Sequence, residues 1–337
     1  MSNINITFMS TCGRGMGPNL KAVKDMLLSR MKDVTFQYFV QNEKSSDSWK
    51  KREIKAAKKD FCETIEHVIC QDNSIKREDE QRIKGKRFLL MNCYDYMFKN
   101  KMEAEEKTLE QKKKLIGFTH LLVTSPFCEK VLEECYDAGK QKVITNVTLP
   151  LGWDICHEEK QKRILKNLQF YYPEMKGKKI LTIITVGAFK DEEEMLDVQR
   201  LKDMLDKLEN DWFVLTNNRN ILEVCSSLSS KYKDKLGYTG KLIQESHLLH
   251  ISDALITNDG MRATCYSMRK KPVYCLNYRN NNFEKYMKKH YPDLFINDLG
   301  DFSLEDLQEK DFKSFWEEFS FPSGLDASEV ICKEIQK

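Results

Sequence analysis

Short apolar runs alternate with amphipathic segments along the whole chain, and this alternation most constrains the fold. The runs are rich in β-branched and aromatic residues, and they are Ile4–Met9, Thr35–Val40, Arg87–Met91, Thr119–Thr124, Val143–Val147, Lys179–Thr185, Trp212–Thr216, Asp253–Thr257 and Pro272–Leu276. Continuous apolar runs of this length are typical of strands buried in a parallel sheet. Because the segments between them have helical patterns, the sequence predicts an α/β fold.

Two segments carry the clearest helical signals. Residues Glu192–Glu209 place apolar side chains along one face of a helix. A second helix is predicted from Phe127 to Ala138, with Ser125 as its N-cap and Pro126 at its first position.

The length and one interruption of the pattern predict two domains. The chain has 337 residues, about twice the usual size of one domain. The charged, helical segment from Trp153 to Lys178 breaks the alternation, so we place the boundary there. We predict an N-terminal acceptor-side domain over 1–153, a C-terminal donor domain over 154–315 and a closing helix over 316–337. Two facing doubly wound, Rossmann-like domains would bind ligands at the C-terminal ends of their strands.

Composition excludes several classes of protein. The 55 basic and 52 acidic residues nearly balance, which argues against a nucleic-acid binder that relies on overall charge. The hydrophobic fraction of 41% excludes intrinsic disorder. The eleven cysteines include no CxxC pair, so we predict reduced thiols, no metal site and a cytoplasmic protein. No apolar run approaches the ~20 residues of a membrane span.

A glycine-rich loop follows the first predicted strand. Alternating glycines let the backbone turn sharply and approach a ligand closely. The N–H groups of the next helix then face that ligand and favour an anion. We predict that this loop contacts the acceptor, and a purely structural turn is the alternative. Its candidate residues are Gly13, Arg14, Gly15, Gly17 and Asn19.

The corresponding loop of the second domain follows the strand Lys179–Thr185. Gly187 would open the turn, and Lys190 would sit at the start of the next helix. A lysine there can neutralise a diphosphate held at the helix N-terminus. The alternative is a surface lysine that pairs with Asp191 or Glu194.

A third loop begins at Thr257 and runs into a predicted helix. The backbone N–H groups of Gly260, Met261 and Arg262 would crown that helix, where a phosphate fits with the arginine beside it. Asp259 allows a different interpretation, in which its carboxylate caps the helix by accepting those same N–H groups.

The densest basic run lies between Asp47 and Asp60. If it is helical, its lysines at positions 51, 55, 58 and 59 share one side, with Trp49 nearby. One interpretation is a solvated helix face. The other is a peripheral contact with an anionic membrane, to which each basic residue contributes about 1 kcal/mol.

Several strings together resemble the GT-B nucleotide-dependent transferases, most closely the CDP-glycerol glycerophosphotransferases that build teichoic-acid-type polymers. The resemblance extends roughly from Phe118 to the end of the chain. The strings are His120–Phe127, Leu149–Asp154, Phe189–Asp191, Ile251–Thr257 and Gly324–Ser328. In the last string, Asp326 and Glu329 also form a capping box.

The chain departs from the family pattern at its functional motifs. The family's Trp-His-Gly segment, whose His is taken as the base, corresponds here to Met91–Asp95, which has no His. The family's His-Pro pair is replaced by Thr216-Asn217-Asn218, and its hydroxyl residues at the donor turn by Asp259-Gly260-Met261. The carboxylate that GT-B proteins often place on the donor ribose would fall near Cys265.

The resemblance implies a transferase that moves a sugar or polyol phosphate from a nucleotide-diphosphate donor to a glycan or cell-envelope polymer. The donor would rest on residues 257–262 with Lys190 opposite, and no resident cofactor is expected. Candidate acids and bases are Asp95, His120, Asp154 and His157, of which we choose Asp95 as the base. The alternatives are a nucleotide-sugar 2-epimerase and a non-catalytic binding protein of the same fold.

Overall fold

The computed structural model describes residues 4–9, 18–39, 55–57, 66–70, 75, 81, 83–91, 113–115, 117–148, 157–185, 198–217, 231–239, 243, 245–276, 282–304, 312–321 and 324–337. The chain divides into two compact units. Unit 1 comprises Met1–Trp153 and Glu318–Lys337, and unit 2 comprises Asp154–Glu317. Neither contains a described helix with the length and apolar character that crossing a bilayer requires.

The described strands of unit 1 form a seven-stranded parallel sheet with the order β3-β2-β1-β4-β5-β7-β9, and two short pairs, β6-β8 and β10-β17. The strands are β1 (Ile4–Met9), β2 (Val34–Phe39), β3 (Lys55–Ala57), β4 (His67–Cys70), β5 (Arg87–Met91), β6 (Lys113–Lys114), β7 (His120–Val123), β8 (Tyr136–Asp137), β9 (Lys142–Ile144), β10 (Val147–Thr148) and β17 (Leu325–Asp326). The described helices of this unit are α1 (Pro18–Arg30), α2 (Pro126–Cys135) and α9 (Ala327–Gln336).

Helices α1 and α9 cover one face of this sheet. Ile6 and Phe8 of β1 point to that face because side chains alternate along a strand. The core that they share with the two helices also includes Leu20, Val23, Leu27, Val330, Ile331 and Ile335. An ion pair of 2.7 Å between Arg30 and Asp326 joins the end of α1 to the start of α9.

Two predicted helix starts are present. Ser125 caps α2 by accepting a hydrogen bond from the Cys128 N–H at 3.1 Å, and Pro126 is the first helical residue, as the sequence predicts. Asp326 caps α9 by accepting from the Ser328 N–H at 2.8 Å. The reciprocal half of the predicted capping box is replaced by an ion pair of 2.6 Å between Glu329 and Lys333.

The described strands of unit 2 form a six-stranded parallel sheet with the order β13-β12-β11-β14-β15-β16. They are β11 (Lys179–Ile184), β12 (Trp212–Thr216), β13 (Leu236–Tyr238), β14 (Ala254–Thr257), β15 (Val273–Leu276) and β16 (Phe295–Ile296). The helices are α3 (Glu158–Tyr171), α4 (Val198–Lys207), α5 (Glu245–Ile251), α6 (Gly260–Ser267), α7 (Asn282–His290) and α8 (Lys313–Phe319), the last of which continues into unit 1.

Both main sheets have the strand order of a doubly wound fold. The chain builds three strands outward in one direction and then returns to add the fourth on the other side of the first. This order confirms the predicted class, α/β with two Rossmann-like domains.

Two local predictions are wrong. Lys55–Ala57 is an edge strand that pairs with β2, so Lys55 does not lie on a helix; the rest of the basic run lies outside the described residues. The predicted strand Val143–Val147 is two strands, because Asn146 has a positive φ of 56° that breaks the extended backbone. The first helix, α1, begins at Pro18, since proline fits the first helical position.

Candidate functional site

The strand order of unit 2 creates a switch point between β11 and β14. These strands are hydrogen-bonded neighbours, and Ile184 at the end of β11 pairs with Thr257 at the end of β14. The chain continues from β11 to β12 on one side of this pair of strands and from β14 to β15 on the other. Open α/β sheets bind ligands in the crevice that forms at such a point.

The turn after β14 is buried and held by its own side chains. The Thr257 hydroxyl accepts a hydrogen bond from the Asp259 N–H at 3.1 Å. Asp259 caps α6 by accepting from the Arg262 N–H, also at 3.1 Å. Of the two interpretations that the sequence left open, the structure contains the cap.

Arg262 is bound by carboxylates on both sides. Its guanidinium lies 2.9 Å from the Asp259 carboxylate, and its Nε donates to the Glu245 carboxylate at the start of α5. The side chain of Arg262 is only 15% exposed, and that of Asp259 only 7%. The other Glu245 oxygen accepts from the amide of Asn217, which follows β12, at 3.4 Å. We call these four residues the Arg262 cluster.

The electrostatics of the Arg262 cluster follow from its burial. Burial alone would lower the pKa of the Arg262 guanidinium, but the Glu245 and Asp259 carboxylates outweigh it and raise that pKa. Two carboxylates against one guanidinium leave the cluster with a net negative charge. An incoming phosphate therefore needs positive charge from another part of the site.

Cys265 lies one turn further along α6 and cannot replace a carboxylate. It is fully buried, and burial raises the pKa of its thiol to about 12. The side chain therefore stays a neutral thiol at physiological pH.

The structure brings the predicted residues of the third loop together at the end of β14. Thr257 ends the strand, Asp259 caps α6, and Gly260, Met261 and Arg262 form the first turn of that helix. Gly187 and Lys190 lie outside the described residues, after β11, the strand next to β14.

Most of the predicted site in unit 1 also lies outside the described residues. This applies to Gly13, Arg14, Gly15, Gly17 and Asp95. Asn19 is described, and it is the second residue of α1 with its side chain fully buried. It belongs to the helix rather than to a loop that could face an acceptor.

His120 is not placed to act as a base at the site. It begins β7, so it lies at the N-terminal edge of the sheet, whereas doubly wound sheets bind ligands at the C-terminal edge. Its Nε2 lies 3.3 Å from the Glu334 carboxylate of α9, and burial lowers the pKa of its imidazole. His157 precedes α3, and Asp154 lies outside the described residues.

Sequence reasoning missed two members of the Arg262 cluster, Asn217 and Glu245. Each had a local signal, because Asn217 follows a strand and Glu245 stands in the first turn of a helix. Their convergence on Arg262 depends on the tertiary fold. The described residues contain no group of three or more His, Cys, Asp or Glu side chains arranged to hold a metal ion.

No protein-family model and no curated protein sequence matches the chain. Solved structures do match. The chain is similar to the wall teichoic acid polymerase TagF, with a TM-score of 0.66 and 13% identity over 99% of this chain and 89% of that one. It is similar to the UDP-GlcNAc 2-epimerase from Neisseria meningitidis bound to UDP-GlcNAc, with a TM-score of 0.57 and 13% identity over 98% of this chain and 99% of that one.

A third similar structure is a putative UDP-N-acetylglucosamine 2-epimerase from Listeria monocytogenes, with a TM-score of 0.55 and 12% identity over 98% of this chain and 95% of that one. Identities this low establish the fold and leave the reaction open. The chain therefore has a GT-B-like fold.

Proposed function

We propose that the protein is a transferase that moves a sugar or polyol phosphate from a nucleotide-diphosphate donor to a glycan or polymer acceptor. The observation that carries the proposal is the Arg262 cluster, a partly buried polar network at the switch point of unit 2. TagF, whose fold is similar, is a wall teichoic acid polymerase, and one of its structures was determined with CDPG.

The charge of the Arg262 cluster suggests how a donor would be divided over the site. The Arg262 N–H already donates to Asp259, so we place the diphosphate against the loop after β11, where Lys190 and the backbone at Gly187 would bind it. The Glu245 side chain is 32% exposed, so its carboxylate can accept hydrogen bonds from the hydroxyl groups of the nucleotide donor. Arg262 would hold that carboxylate in place.

Transfer needs two further functions beyond donor binding. Negative charge on the departing nucleotide phosphate must be stabilised, and Lys190 is the proposed group for this. A base must activate the acceptor hydroxyl, which contributes about two to four orders of magnitude. Asp95 is the proposed base, and the loop at residues 13–17 is the proposed acceptor contact.

Calorimetry with a panel of nucleoside diphosphates tests donor binding. The wild type is expected to bind at least one of them, and Lys190→Ala should weaken that binding about tenfold or more, since a charge-assisted contact contributes roughly 1.5–3 kcal/mol. Lys289→Ala, at an exposed position of α7, is the matched control and should leave the affinity unchanged. Absence of binding to every diphosphate would refute the proposal.

A 2-epimerase is the second candidate, because the epimerase with bound UDP-GlcNAc has a similar fold over 98% of this chain. Incubation with nucleotide sugars alone, followed by NMR, separates the two reactions. An epimerase changes the sugar without an acceptor, whereas a transferase leaves it intact until an acceptor is added. Nucleotide binding without turnover in either assay would identify a non-catalytic binding protein.

A further inference from the structure

The C-terminal end of α3, in unit 2, carries two exposed aromatic side chains. Phe170 is 81% exposed and Tyr171 is 58% exposed, although large apolar side chains are usually buried. Their rings contact each other edge to face, with centroids 5.4 Å apart. Ile164 and Leu168 are buried, so they hold the other side of the helix against unit 2.

Basic side chains share the exposed face with the aromatic pair. Arg163, Lys166 and Phe170 are spaced three and four residues apart, which places them along one side of the helix. All three are exposed. Lys176, just beyond the helix, is exposed as well.

The charge around this face is predominantly positive. Between Glu158 and Lys178 the sequence has six basic and three acidic residues. Two of the basic groups are engaged elsewhere, because Lys162 pairs with Glu159 and Lys178 donates to the Asp234 carbonyl. Arg163, Lys166 and Lys176 form no ion pair within the described part of the chain, so their charges face solvent.

We propose that this α3 surface, comprising Arg163, Lys166, Phe170, Tyr171 and Lys176, docks on an anionic lipid bilayer. Aromatic side chains favour the headgroup level of a bilayer, and basic side chains beside them are attracted to anionic lipids. The apolar part of the patch is two side chains. A specific protein interface usually buries about 800 Å² per partner, so the patch suits a lipid surface better than a protein.

The α3 surface differs from the basic run at residues 47–60, which is the sequence-based candidate for membrane contact. The two candidates involve different residues and can be separated by substitution. Membrane binding is also read without any transfer assay, so its outcome does not depend on the proposed reaction.

Vesicle sedimentation of the full chain tests the proposal. The wild type should bind phosphatidylcholine vesicles that contain phosphatidylglycerol, but not phosphatidylcholine alone. Binding should be lost in 1 M salt, where the screening length falls to about 3 Å. Each basic residue is expected to raise the affinity for anionic vesicles about fivefold, so the double variant Arg163→Gln/Lys166→Gln should bind them about 25-fold more weakly.

A second variant and two controls make the outcome decisive. Phe170→Ser/Tyr171→Ser should weaken binding about tenfold or more without lowering thermal stability, because both rings are already exposed. The charge-matched control Lys285→Gln/Lys289→Gln, on α7, should bind like the wild type.

Three results would overturn the proposal. The first is a wild type that does not bind anionic vesicles at low salt. The second is a loss of vesicle binding in the α7 control as large as that in Arg163→Gln/Lys166→Gln. The third is a loss of vesicle binding only when the lysines at positions 51, 55, 58 and 59 are replaced by glutamine. In the first case a protein partner becomes the better explanation of the exposed rings.

Discussion

Replacing Asp259 tests whether the Arg262 cluster is built as described, because two substitutions separate its two interactions. Asp259→Asn keeps a side-chain oxygen that can cap α6 but removes the charge that pairs with Arg262 at 2.9 Å. Both side chains are buried, so the lost charged hydrogen bond costs about 2 kcal/mol with little solvent compensation. Asp259→Ala loses the cap as well, which adds about 1 kcal/mol. We therefore expect the free energy of unfolding to fall by about 2 kcal/mol in Asp259→Asn and by about 3 kcal/mol in Asp259→Ala.

Urea unfolding followed by circular dichroism measures these losses. Asp298→Ala is the matched control in the same unit. Asp298 also accepts a hydrogen bond at the start of a helical turn, from the Gly300 N–H at 2.7 Å, but its arginine partner, Arg200, is half exposed and 3.6 Å away. That control should lose only about 1 kcal/mol. Equal midpoints for Asp259→Ala and Asp298→Ala would refute the reasoning.

Three other predictions concern acid stability and thiols. Hydrogen bonds from Lys142 and Lys337 hold the pKa of Glu334 at about 2. The contribution of Glu334 to stability is therefore present above pH 4.5 and lost as the pH falls towards 2. Thermal unfolding across this range should show the loss of stability in the wild type and not in Glu334→Gln. Burial lowers the pKa of His67 below 6.5, so the unfolded chain takes up its proton first, and unit 1 should lose stability below that pH in the wild type but less in His67→Gln. All eleven cysteines should be alkylated in the denatured, unreduced chain, and a mass that lacks two alkyl groups would reveal a disulfide.

The sequence was most informative where strands are long, apolar and followed by turn residues. Ile4–Met9, Arg87–Met91 and Trp212–Thr216 are strands with the predicted bounds. Their signal is local, since burial on both faces favours apolar residues at most positions of the strand. The strand β14 and its Asp-Gly turn were predictable for the same reason, and with them the position of the third loop.

The missed elements are short or depend on distant residues. The strand His67–Cys70 lies at the centre of unit 1, beside β1, and it was missed although it is as long as β14. The strand Lys55–Ala57 was predicted as part of a helix because the basic run around it suits a solvated helical face. Asn217 and Glu245 are far from Arg262 in sequence, so only the packing of the fold brings them together.

The return of α9 to unit 1 has a consequence for how the chain is synthesised. Val330 and Ile331 of α9 complete the core that α1 forms with β1, yet they emerge from the ribosome only after all of unit 2. About 300 residues separate the end of α1 from the start of α9, so at 5–20 residues per second the apolar face of α1 would wait roughly 15–60 s for its cover. Unit 2 can therefore finish folding before unit 1, and a fragment that ends at Trp153 is expected to bind a hydrophobic dye that the full chain excludes.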